Sequence, residues 1–164
     1  TRKLSLFANM VDAEFVPITK SLSIGTPGVF RKSKILKSFF DKRASRLFFE
    51  KNPSAYLLES DNDYIDHLQR KSLLVTGRFH AACLAILTKT PFIATKSNSW
   101  KIEALVSDVG LNPERVQPLG KLHEIFKGES QWQYSAQELS KIENALSLWR
   151  SDGNVLFNKI SGLF

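Results

Sequence analysis

The stretch Leu73-Leu-Val-Thr-Gly-Arg-Phe-His-Ala-Ala-Cys-Leu-Ala-Ile-Leu-Thr-Lys-Thr-Pro-Phe-Ile-Ala-Thr95 decides the fold. Leu73-Leu-Val-Thr76 is a short apolar run broken by Gly77, the pattern of a buried strand. From His80 to Thr88 the apolar residues are too dense for one surface stripe, so a well-buried helix is expected. Thr90-Pro91 ends it, because the residue before a proline is pushed out of the helical region. Phe92-Ile-Ala-Thr95 then reads as a further strand. Strand, helix and strand in succession make a βαβ unit. Such units build parallel sheets with right-handed crossovers.

The alternation continues outward. Upstream, Ser54-Ala-Tyr-Leu-Leu-Glu59 follows the turn signal Asn52-Pro53 and reads as a strand. Ser60-Asp-Asn-Asp63 offers N-cap residues for a helix reaching Gln69. Downstream, Ser97-Asn-Ser99 can cap a helix in which Trp100, Ala104, Leu105 and Val109 recur at helical spacing and which Gly110 stops. Arg115-Val-Gln-Pro118 is expected as a short edge strand, since Pro118 has no N–H for a ladder bond. A short helix from Lys121 to Phe126 follows. A long one begins at Ser135, with Leu139, Ile142, Leu146 and Trp149 on one face and either a break or a continuation at Asp152-Gly153.

Before this alternation the pattern is looser. Leu4 to Met10 suits a helix, Phe15-Val-Pro-Ile18 is extended, and Ser23-Ile-Gly-Thr-Pro-Gly28 is a loop. Lys32 to Glu50 reads as a basic amphipathic helix whose apolar side holds Ile35, Leu36, Phe39, Phe40, Leu47 and Phe48. The expected class is α/β. Residues 1–164 form one Rossmann-like, three-layer domain with about five mostly parallel strands, and residues 1–50 are a basic N-terminal segment.

The length of 164 residues and the 43% hydrophobic content fit one soluble globular domain. No run of about 18 apolar residues is present to span a bilayer. The chain opens on Thr1 with no signal-peptide pattern, and the simplest expectation is a piece of a longer protein. Cys83 is the single cysteine and lies in an apolar helical run, where a core role is favoured over a nucleophile. No intrachain disulfide can form, which fits a reducing cytoplasm. The net charge of +7 favours anionic partners.

Open parallel sheets bind ligands beyond the carboxyl ends of their strands. Three loops reach that edge here: 59–62, 76–80 and 96–101. In Thr76-Gly-Arg-Phe-His80, Gly77 permits a tight turn and close approach of a ligand. The helix mouth attracts an anion, and Arg78 adds a planar fork for carboxylate or phosphate. His80 can donate a hydrogen bond or move a proton near neutral pH. The plainer alternative is a structural pair for Arg78 and a capping role for His80. In Ser97-Asn-Ser-Trp-Lys101, Asn98 can bond a base or sugar edge and Lys101 can reach a phosphate, against plain capping and a solvated lysine. Glu59 and Asp61 are candidate bases or nucleophiles, with capping the favoured role. His67, His80 and His123 show no metal-ligand spacing, and neither metal nor cofactor is expected.

Residues 73–111 resemble the C-terminal domain of the polysaccharide pyruvyl transferase family. The likeness rests on Gly77-Arg-Phe-His-Ala81, Thr88-Lys-Thr-Pro91, the strand after it, Lys101 opening the next helix, and Asp108-Val-Gly-Leu111. The resemblance implies one half of a glycosyltransferase-B-like architecture, two Rossmann-like domains facing a cleft. It implies transfer of pyruvyl from phosphoenolpyruvate to a saccharide acceptor as a ketal, in surface polysaccharide biosynthesis for the cell envelope. Arg78 and His80 would be catalytic, meeting the acidic donor, with His80 as acid. Thr76, Gly77, Ser97, Asn98 and Lys101 would position the donor. A missing N-terminal domain would supply the acceptor site. Glycosyltransferases using nucleotide-activated acidic sugars, such as a CMP-linked keto-sugar acid, are similar in this region and stand as the alternative.

The cations of residues 31–46 raise two further partners. A nucleic-acid role is not expected, because the aromatics lie at core spacing and no recognition signature accompanies them. A cytoplasmic protein resting peripherally on the inner face of a membrane is the other, weighed against a solvated face or a contact with the missing domain.

Overall fold

The computed structural model describes residues 2–16, 60–96 and 99–161, with positions 35, 38, 42, 43, 46, 47, 49, 50, 55 and 58 between them. The chain divides into two compact units, Thr1–Asp63 and Tyr64–Phe164.

In the first unit, α1 (Arg2–Met10) buries Ser5, Phe7 and Ala8 and leaves Leu6 and Met10 exposed. Asp12, at φ 52°, turns the chain out of the helix, and Ala13 N–H returns to the carbonyl of Ala8 at 2.8 Å. This is the left-handed exit that satisfies a helix's last carbonyls. Phe15 then forms a parallel bridge with Ala55, the one described trace of pairing near the strand expected at 54–59. The described positions from Ile35 to Glu50 are helical, as the amphipathic pattern anticipates. Ile35 and Leu47 do not serve as its apolar side, however; they are 82% and 47% exposed. Helix α2 (Asp61–Gln69) carries the predicted cap: Ser60 N–H donates to Asp63 Oδ2 at 3.0 Å, and Asp63 N–H donates to Ser60 Oγ at 3.1 Å.

The second unit is mixed α/β around a three-stranded parallel sheet in the order β1 (Leu74–Thr76), β2 (Phe92–Thr95), β3 (Val116–Gln117). The sequence reading expects about five strands; three occur among the described residues of this unit. Register pairs Thr76 with Ala94 and Thr95 with Gln117. The central strand β2 is buried along its whole length, which is why Phe-Ile-Ala-Thr reads as a continuous run rather than an alternation.

Helix α3 (Phe79–Leu87) connects β1 to β2, and α4 (Lys101–Val109) connects β2 to β3. Ala82, Ala85 and Ile86 of α3 pack with Ile102, Leu105, Val106 and Val109 of α4 in one core, to which Ile142 adds. Gly110, at φ 73°, closes α4 in the left-handed conformation that the sequence assigns to it. Trp100 is not part of the buried stripe as the spacing suggests. It precedes the first turn of α4, where the backbone departs from the helix, and is 76% exposed. The Thr90-Pro91 turn is fixed by Thr90, whose hydroxyl donates to Leu68 O at 2.9 Å and whose N–H reaches Ala85 O at 2.8 Å.

A short helix α5 (Leu122–Ile125) and a long one, α6 (Ala136–Ser161), follow. Helix α6 runs through Gly153 without a break. Ile142 is fully buried, with Ala145 and Leu146 against the core, but every residue from Ser147 to Leu156 is exposed, Trp149 included. No helix among the described residues is long and apolar enough to cross a membrane.

Candidate functional site

Parallel register brings the ends of three strands to one edge: Thr76, Thr95 and Gln117. The loops leaving them begin with Gly77-Arg78, Lys96 and Pro118. Lys96 N–H donates to Gln117 O at 2.9 Å, carrying the ladder one step beyond the strands.

The first loop is shaped by its own residues. Thr76 is buried, and its Oγ1 accepts a hydrogen bond from Arg78 N–H at 3.1 Å, folding the chain back over the strand end. A Cβ added at Gly77 would lie 2.6 Å from Thr95 Oγ1. Glycine is therefore demanded here by the closeness of the β2 end. The residue types alone suggest other reasons, a tight turn and the close approach of a ligand. Thr95, itself buried, belongs to the site and was missed. The signal for it was its place at the end of the strand that neighbours Gly77.

Arg78 stands at the N-cap of α3 in extended conformation (φ −110°, ψ 125°), and among the described residues no side chain caps that helix end. The side chain is exposed, and among the described residues the guanidinium has no ion pair or hydrogen bond. The structural pairing weighed from sequence is thus not seen among those residues. His80 lies one turn-step further, exposed, with its ring edge-on to Phe79 at 5.7 Å. It sits within the first turn of the helix instead of capping it.

On the second loop, Ser97 and Asn98 lie outside the described residues, as do Glu59 and the side chain of Asp61. Ser99 Oγ accepts from Lys101 N–H at 3.3 Å, so a serine of the predicted capping group does serve the start of α4. Lys101 opens that helix and is exposed. Lys96 and, after β3, Lys121 are further exposed cations on loops leaving the same edge. From sequence, Lys96 bounds the 96–101 loop and Lys121 opens the short helix, but neither is given a role at the site. Against these cations stands Glu103 in the first turn of α4, with its Oε2 buried and without a hydrogen-bond partner among the described residues.

Two negatives of chemistry are also clear. Cys83 is half-buried against the core, and burial pushes its thiol up, away from the thiolate a nucleophile needs. Among the described residues no group of three His, Cys, Asp or Glu side chains gathers to hold a metal ion.

What the edge offers is a mouth for an anion: the start of α3, the exposed guanidinium of Arg78 and lysines, with a hydroxyl-lined floor at Thr76 and Thr95. Comparison with known protein families, curated proteins and solved structures gives no match.

Proposed function

We propose that this chain is the donor-binding half of a two-domain, glycosyltransferase-B-like transferase that transfers pyruvyl from phosphoenolpyruvate to a sugar of a surface polysaccharide. One observation carries the reading: the guanidinium of Arg78 is exposed at the uncapped start of α3, with His80 in the next turn-step. Phosphoenolpyruvate presents a carboxylate and a phosphate on one small carbon frame. The fork of Arg78 suits the carboxylate and the helix start suits the phosphate. The parallel sheet with α3 and α4 as connections is compatible with a Rossmann-like half, and its carboxyl edge is where such a donor binds.

Chemically, a ketal forms in two steps, an addition and a displacement. A sugar hydroxyl adds to the enol carbon while His80 delivers a proton to the methylene and takes up the proton that the hydroxyl gives up. A second hydroxyl then displaces phosphate from the same carbon, and its proton leaves with the phosphate. Lys101 stabilises the departing dianion. A second domain supplies the acceptor site, and in this reading the reaction is cytoplasmic.

A second reading has its own support. Trp100, 76% exposed beside Lys101, offers a stacking face for a nucleobase, which a CMP-linked keto-sugar acid would supply.

A thermal-shift titration with phosphoenolpyruvate, CMP, UDP and GDP tests both. A ligand at about 100 times its dissociation constant adds roughly 2.7 kcal/mol of stability. A shift with phosphoenolpyruvate that vanishes in Arg78→Ala and His80→Ala is the expected result. A shift with CMP that vanishes in Trp100→Ala favours the second reading. Donor affinity and full-length turnover unchanged in Arg78→Ala and His80→Ala would overturn the first.

A further inference from the structure

Thr95 ends strand β2 with only 4% of its surface exposed, yet its hydroxyl has no hydrogen-bond partner among the described residues. Nor is it one of the two unpartnered side-chain atoms sealed from solvent among them, Glu103 Oε2 and Trp132 Nε1. A hydroxyl that is nearly enclosed, unpaired and still open at its tip calls for a partner from outside the chain. Its direction is fixed by Gly77: Oγ1 lies 2.6 Å from where a Cβ of that glycine would stand, so it is aimed at the turn between β1 and α3.

The groups around that turn have hydrogens to give. Thr76 Oγ1 already accepts from Arg78 N–H at 3.1 Å, which leaves its own O–H to donate. The first intrahelical bond of α3 runs from Ala82 N–H to Arg78 O, so the N–H groups of Phe79 and His80 have no acceptor within the helix. None of these donors meets a carboxylate among the described residues. The ligand that fits is rich in acceptors and carries no hydrogens to compete. A carboxylate offers two oxygens in one plane, which suits the fork of Arg78. A phosphate monoester dianion offers three at tetrahedral corners and can meet two strand ends and a helix start together. We propose that Thr95 Oγ1 donates to a phosphoryl oxygen seated at the start of α3, which makes Thr95 the phosphate-positioning residue of the site. That this phosphate belongs to phosphoenolpyruvate rests on the reading above; the phosphate site itself does not.

Inorganic phosphate is the probe, its binding by the chain followed by titration calorimetry. Thr95→Val keeps the shape and removes the hydroxyl, and it should weaken phosphate at least about tenfold, the loss of one hydrogen bond to a charged group. Thr95→Ser restores the hydroxyl and should recover affinity to within about threefold. Thr88→Val, at the other end of α3, should change it less than about twofold. If Thr95→Val melts early, Thr95→Ala replaces it. No phosphate binding by the native chain, native affinity without the hydroxyl, or a loss that Thr95→Ser does not recover overturns the proposal. Phosphoenolpyruvate separates this claim from the one it extends. Phosphate held through Thr95 with no binding of phosphoenolpyruvate leaves the site standing and removes the pyruvyl reading. Phosphoenolpyruvate held through Arg78 and indifferent to Thr95→Val does the reverse.

Discussion

Arg115 and Glu138 are joined by two parallel hydrogen bonds, Nε to Oε1 at 2.8 Å and Nη2 to Oε2 at 2.9 Å. The arginine is only 4% exposed, and its remaining N–H groups donate to the carbonyls of Phe92, Trp132 and Gln133. Its guanidinium lies 4.3 Å from the ring centre of Tyr134. Glu138 also accepts from Ser135 N–H at 3.1 Å, closing a capping box at the start of α6. One ion pair thus ties the entry of β2, the turn after α5 and the first turn of α6.

Removing the carboxylate leaves a buried cation without its counter-charge. Glu138→Ala should therefore cost about 3–5 kcal/mol in urea unfolding. Arg115→Lys should cost at least about 2 kcal/mol, because a point ammonium cannot reach acceptors spread around a planar fork. A loss below about 0.5 kcal/mol in both would show that the clasp is decorative.

The same pair makes stability depend on acid. Hydrogen bonds from Arg115 hold the Glu138 carboxyl down from 4.5 to about 2, against the opposing effect of burial. The folded chain binds this proton less readily than the unfolded one, so the stabilisation is whole above about pH 5. It drains away as pH falls towards 2. Urea midpoints between pH 6 and pH 2 should fall more steeply for the native chain than for Glu138→Gln.

Gly77 and Thr95 should behave as one unit. A methyl group at Gly77 meets Thr95 Oγ1 at 2.6 Å, so Gly77→Ala should cost about 1–3 kcal/mol. In a Thr95→Ala background most of that cost should disappear, since the opposing oxygen is gone. A double-mutant cycle with no coupling would refute the contact.

Two other glycines should respond with opposite signs. Gly153 is helical, with open space where a Cβ would stand, and Gly153→Ala should stabilise by about 0.5–1 kcal/mol. Gly110 has φ 73° and Lys141 Cδ 3.4 Å from an added Cβ, so Gly110→Ala should destabilise by about 1 kcal/mol. Melting temperatures of the two variants on either side of the native value would check both.

Local chemistry was legible in the sequence wherever neighbours along the chain decide it. The Ser60–Asp63 cap, the Thr90-Pro91 stop, the buried Phe92–Thr95 strand and the Gly110 exit all follow from adjacent residues. Long-range partnerships were not. Arg115 read only as the start of an edge strand, because nothing near it announces a carboxylate 23 residues away. Ser135 and Glu138 do stand at capping-box spacing, which would have flagged the acid but not its partner. Trp100 and Trp149 have helical spacing with core residues, yet both lie beyond the layer they would pack on, and spacing cannot tell where that layer ends. At the site, the loop from Thr76 to His80 was found from its residue types, while Thr95, Lys96 and Lys121 required the register of the sheet.

Helix α6 has 26 residues, about 39 Å of continuous backbone, and among its described side chains those packed on the core lie in its first half. Its amides therefore belong to two regimes of hydrogen exchange. Those around Ile142 open only when the whole unit unfolds, whereas those from Arg150 onward open by fraying, over a segment too short to persist on helix propensity alone. Deuterium would enter this one helix as a front advancing from its far end and halting near Leu146.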